Sequence, residues 1–142
     1  MDVNKEFGGR TFAHETWHIM EQYIKYRTYG KPNPFGSWEN LNPVGFTYSN
    51  SSGNIYTVFS YDYSIMSYPT PINEVSFVSE YAKSAPWEDR AELFADLMFR
   101  PFKKDYMASG FGVNEKAKAL SQIIRNYFPN STGASWERWI TW

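Results

Sequence analysis

Apolar positions recur at helical spacing in three stretches of this chain, and the breakers between them set the predicted elements. From about Thr11 to Thr28, Phe12, Ile19, Tyr23 and Tyr26 fall near one stripe, with Met20 and Ile24 beside it. Thr11 is placed to cap this first helix, and Gly30 and Pro32 end it. A second helix is predicted from Pro86 through WEDRAELFADLMFR to just before Pro101, because proline is tolerated at a first helical position and not in an interior. A third runs from Glu115 to Phe128, with Asn114 as cap, Pro129 as stop and Ala117, Leu120, Ile124 and Phe128 on one stripe. Two short runs, Val44–Ser49 and Asn54–Ser60, alternate as strands do and flank Gly53, which predicts a hairpin. Residues 30–43, 61–72 and 101–113 read as loop or linker, and Ser135 as the cap of a last short turn, WERWITW. The expected fold class is mainly α with a small β component (α+β), in a single domain spanning 1–142.

The two histidines of the chain, His14 and His18, both lie on the first helix, facing away from much of its apolar stripe. Four residues apart, they share a helix face and can reach one metal ion. Glu15 follows the first, giving HETWH, the H-E-x-x-H spacing in which the glutamate acts on a metal-activated water. With ten Glu in the chain, chance yields this arrangement about once in a thousand sequences of the same composition.

A hydrolytic zinc site needs a third protein ligand and an open fourth position. Glu21 and Ile24 stand where a longer three-histidine motif would place Gly and His, so the third ligand is a carboxylate. Glu88, Glu92 and Asp96 project from one face of the second helix at i, i+4 and i+8. Spacing alone leaves Glu88 and Glu92 as equal candidates, and small Ala91 or Ala95 lets this helix approach the first closely.

Composition narrows the remaining classes. A formal charge of −1 without blocks of like charge gives no footprint for nucleic acid or an anionic membrane. No apolar run is long enough to span a bilayer, and the first ten residues hold no signal-type apolar core. The absence of cysteine excludes disulfides, thiolate-ligated zinc and a thiol nucleophile. Aromatic residues make up 20 % of the chain, enough to furnish both a core and a cleft for peptide or sugar.

HETWH followed by FVSEYAKSAPWEDRAELFA resembles the gluzincin metallopeptidases of the lethal-factor type. It also resembles a broad group of bacterial zinc metallopeptidases with an S-x-Y-A-x-x-x-P-x-E-D-x-A-E signature. WENLNPVGFTY is similar to a W-x-x-L-N-P-x-G-F-x-Y segment of that group. The three blocks cover under a third of the chain. The resemblance implies a zincin-like core in which an active-site helix packs on a glutamate helix, and one zinc ion per chain. It implies His14, His18 and Glu88 as ligands, Glu15 as general base, and Glu92 as the acceptor that orients a ligand histidine. Tyr81 then corresponds to the tyrosine that hydrogen-bonds the developing oxyanion. The substrate would be a peptide or protein, at a site outside the bacterial cell or in its envelope.

Zincins place a twisted sheet before this helix, and 13 residues before His14 are too few to form it. Either the chain is the C-terminal part of a longer protein, or the 44–60 hairpin supplies the missing edge. A missing sheet leaves aromatic surface open to self-association. Two rivals come from other classes: a catalytically degenerate, aromatic-rich binding module for protein or glycan, and a non-haem iron site, whose two histidines and one carboxylate would have no use for Glu15.

Overall fold

A computed structural model describes residues 3–49, 76–99 and 112–131. Three helices carry it: α1, Val3–Arg27; α2, Pro86–Phe99; and α3, Gly112–Tyr127. Short 3-10 turns lie at Trp38–Leu41, Tyr81–Lys83 and Pro129–Ser131. Mainly helical structure is therefore observed, and no strand occurs among the described residues.

Helix α1 begins eight residues before the predicted start, so Thr11 is not its cap but an exposed interior residue. Two glycines at positions 8 and 9 weaken a helix by only about 1 kcal/mol each. The Arg10 guanidinium, bound to Glu92 of α2, ties down the turn before Thr11. The predicted apolar stripe also needs correction. Phe12, Ile19 and Tyr26 are 73 %, 72 % and 80 % exposed, and Tyr23 is exposed as well. The buried face instead runs through Arg10, Ala13, His14, Trp17, Glu21, Ile24 and Thr28, also at helical spacing. Four of those seven residues are polar, so hydrophobicity alone picks the wrong face. Each buried charge on it has a partner on α2, which offsets the desolvation penalty that normally keeps such groups outside.

Helices α1 and α2 form the main helix pair, and α3 packs against α2 and against the Trp38–Leu41 turn. Trp17 is fully buried against Phe94 of α2 and Phe35, with ring centroids 5.4 and 6.4 Å away. Ile24, Leu93, Leu97, Leu120 and Ile124 complete this core. From Asp89 to Leu97 every residue of α2 is buried, including three acids and an arginine. Each is matched: Arg90 donates to Glu21 at 2.7 and 2.8 Å, and Glu21 also accepts from the Trp17 indole at 2.9 Å. The Arg90 guanidinium lies over the Phe35 ring at 4.4 Å, so the same side chain serves the ion pair and the aromatic core.

Helix α2 starts at Pro86 as the proline rule requires. Helix α3 starts three residues early, at Gly112; Asn114 is buried within it instead of capping it. A side chain at position 112 would collide with Ser76, so only glycine lets the helix start reach that segment. The stripe from Ala117 through Leu120 and Ile124 faces the core as expected, and Lys116 joins them in full burial.

The predicted strand Val44–Ser49 is absent. Its first residues form a turn in which the Phe46 N–H donates to the Pro43 carbonyl at 3.0 Å. Gly45 takes a φ of +83°, the left-handed conformation that a type II turn demands at its third position. Val44 is then left on the outside, which its apolarity did not suggest. The partner run Asn54–Ser60, Gly53, the irregular segment 61–72 and the last turn, WERWITW, lie outside the described residues. No helix among the described residues is long and apolar enough to cross a membrane.

Candidate metal centre

The crossing of α1 and α2 puts three donor atoms at the corners of a small triangle. His14 Nε2 lies 3.0 Å from Glu88 Oε2, His18 Nε2 lies 3.4 Å from the same oxygen, and the two imidazole nitrogens are 3.1 Å apart. Four ligands placed tetrahedrally about zinc at about 2.05 Å stand about 3.3 Å from one another. The triangle thus matches one face of a zinc tetrahedron. Glu88 Oε2 is buried yet lacks an aligned hydrogen bond, although both nitrogens are at contact distance. An arrangement of three donor atoms converging on one point is satisfied by a shared cation. His14, His18 and Glu88 lie close enough to bind a metal ion.

The local sequence explains why these atoms meet. The i, i+4 spacing brings both imidazoles to the α2 side of α1. Pro86 begins α2, so Glu88 sits in its first turn, where a carboxylate also interacts favourably with the helix dipole. Of the two carboxylates that spacing left equal, Glu88 meets the Nε2 atoms and Glu92 does not. Glu92 instead accepts from His14 Nδ1 at 2.7 Å. A neutral imidazole carries one N–H; held on Nδ1 by Glu92, it leaves the Nε2 lone pair facing the triangle.

Glu92 is itself fully enclosed. Arg10 donates to its carboxylate at 3.0 and 3.3 Å, and the Ser79 hydroxyl at 2.7 Å. Arg10 also lies 3.8 Å from Asp96, so the third acid of the face has the same cation as a neighbour. Sequence reasoning missed both Arg10 and Ser79. Arg10 stands four residues before His14, on the same stripe as the histidines, but an arginine at that spacing ordinarily faces water. Ser79 acts across a turn, holding the Ala82 N–H at 3.1 Å as well as Glu92, and carries no periodic signal.

The electrostatics follow from this packing. Burial opposes a charge on His14, but hydrogen bonds and charges from Glu88 and Glu92 outweigh it and raise the imidazole to about 9. Burial would raise Glu88, yet His14 and His18 together draw it down to about 2. Glu92 goes from its ordinary value to about 2 despite burial, through His14, Arg10 and Ser79. The metal-free centre is therefore a network of opposite charges around the triangle, with His14 protonated at neutral pH.

Glu15 is exposed, one residue round the helix from His14. It has no part in the ion pairs of the triangle and is open to solvent. Tyr81 is half-buried in the 3-10 turn before α2, its ring centroid 5.9 Å from that of His14. The Ser84 hydroxyl, donating to the Tyr81 carbonyl at 2.7 Å, closes this turn just before the helix. Asp89, the residue after Glu88, is buried in a pair with Lys116 of α3 at 2.7 Å.

No protein-family model, curated protein or solved structure matches this chain.

Proposed function

We propose that this protein is a zinc-dependent metallopeptidase of the gluzincin type. The supporting observation is the donor triangle of His14, His18 and Glu88, with edges of 3.0–3.4 Å, beside an exposed glutamate from between the two histidines. Two imidazoles and one carboxylate suit zinc and leave a fourth position open. Bound there, the ion would act as a Lewis acid that acidifies water and polarises a carbonyl.

The side chains of this chain divide the remaining work. Glu15 takes the proton of the attacking water and delivers it to the leaving amine, a general acid–base contribution of typically about 10²–10⁴ in rate. Glu92 keeps the His14 proton on Nδ1 and so keeps Nε2 a lone-pair donor. Tyr81, next to His14, offers its hydroxyl to the oxyanion of the tetrahedral intermediate, where one such donor contributes about 10²–10³. The substrate on this reading is a peptide or protein.

Elemental analysis of protein purified without added metal, paired with digestion of a broad peptide library, tests the proposal. Zinc near one per chain and cleavage lost in Glu15→Gln are expected. Iron in place of zinc, or digestion by Glu15→Gln as fast as by wild type, would sink it. Zinc without cleavage by either protein would favour the aromatic-rich binding module instead.

A further inference from the structure

The chemistry proposed above makes no use of a second buried polar centre, built around the next residue of α2, Asp89. Asp89 Oδ2 accepts three hydrogen bonds: from the Trp38 indole at 3.0 Å, the Tyr48 hydroxyl at 2.7 Å and the Lys116 ammonium at 2.7 Å. Lys116 also donates to the Ser76 carbonyl at 2.8 Å, and its ammonium lies 3.7 Å from the centre of the Phe77 ring. Asp89 and Lys116 side chains are each 1 % exposed. A single carboxylate oxygen thus joins α2, α3 and both ends of the 38–48 segment. The Pro43–Phe46 turn, with Gly45 at positive φ, bends that segment between its two donors.

Asp89 directly follows Glu88, about 100° round the helix. Glu88 Oε2 meets the two histidines at 3.0 and 3.4 Å without an aligned hydrogen bond, so these contacts do not by themselves fix its place. Its carboxylate stands about 6 Å from the α2 axis, so a rotation of the first turn by about 10° moves it by about 1 Å. Metal–ligand distances tolerate about 0.2 Å. Something must therefore fix that rotation, and Asp89 is the residue of the first turn gripped by three side chains, from α3 and from both ends of the 38–48 segment.

We propose that Asp89, clamped by Trp38, Tyr48 and Lys116, is a positioning residue that holds the first turn of α2 in the rotation at which Glu88 ligates the metal. This rests on the metal-centre reading above. The clamp also accounts for the WENLNPVGFTY segment, whose first and last residues, Trp38 and Tyr48, deliver its two neutral donors.

The test is a double-mutant cycle on zinc affinity, measured by chelator competition in wild type, Tyr48→Phe, Glu88→Ala and the double variant. Tyr48→Phe removes one donor and keeps the ring that packs against Phe46 and Phe77. It should weaken zinc binding about tenfold in the wild-type background, the lower end for groups that orient a ligand. In the Glu88→Ala background the loss should shrink to less than about twofold, because the clamp has no carboxylate left to place. The visible absorption of the cobalt-substituted protein should shift in Tyr48→Phe, whereas a loss of general stability alone would leave it unchanged. Trp38→Phe, which deletes the indole donor, repeats the measurement should Tyr48→Phe not fold. Unchanged zinc affinity in wild type, or an equal loss in both backgrounds, overturns the clamp while leaving the metal centre standing. Absence of zinc binding by wild type removes the metal centre and the clamp with it.

Discussion

On the proposed function, zinc entering this centre has to displace a proton, and the contacts of His14 set how hard that is. His14 is held by Glu88 and Glu92, which overcome its burial and raise it to about 9. The metal takes the same Nε2 lone pair that the proton occupies, so the two compete. At pH 7 the proton lowers apparent affinity by about two pKa units, or about 2.7 kcal/mol. Between pH 7 and pH 8 the apparent Kd should therefore tighten about tenfold, with close to one proton released from His14 per zinc bound. A histidine at its ordinary value of about 6.5 would tighten it only about 1.3-fold over that interval. Chelator competition at pH 6, 7 and 8 gives the slope. Calorimetry in two buffers of different ionisation enthalpy counts the protons. A Kd flat from pH 7 to 8, with heats independent of buffer, would refute the claim that the two carboxylates keep His14 charged.

Other outcomes follow from the same contacts. Glu92→Ala should weaken zinc by about 10–100-fold, less than Glu88→Ala, because it removes a ligand's partner and not a ligand. It should also cost about 3–5 kcal/mol of stability in urea unfolding, since it strips Arg10 of its nearest carboxylate in a buried position. Metal-free protein should be most stable between about pH 4.5 and 6.5, and chelator-treated samples melted across pH 2–10 check both limits. The contribution of His14, whose value rises on folding, is complete below 6.5 and lost as pH climbs through about 9. Those of Glu88 and Glu92, whose values fall, are complete above 4.5 and lost as pH drops through about 2. Trp17→Ala should destabilise by about 3–5 kcal/mol, since this fully buried indole packs on Phe94 and Phe35 and donates to Glu21.

Proline marked the element boundaries most faithfully. Pro86 starts α2 through local sterics, and α1 ends at Arg27, shortly before Gly30, whereas Gly8 and Gly9 lie inside α1 beside the Arg10 contact with Glu92. Signals based on apolar content fared worse. Phe12, Ile19 and Tyr26 looked like a core stripe and are exposed; Val44 looked like a strand residue and tops a turn. Thr11 and Asn114 looked like caps and lie inside longer helices, extended by tertiary contacts of Arg10 and Gly112.

By itself the chain of residues determined that His14 and His18 share one helix face, that Glu15 stands between them, and that Glu88 and Glu92 are one turn apart on a later helix. Those are consequences of a 3.6-residue period and need no partner. Only the tertiary structure decided which acid meets the imidazoles, which face of α1 turns inward, and that Arg10, Ser79, Tyr48 and Lys116 belong to buried polar networks. Pairing across 13 to 82 residues of sequence governs those choices. A charged side chain is buried only where the fold brings its counter-charge, and no local pattern records where that will be.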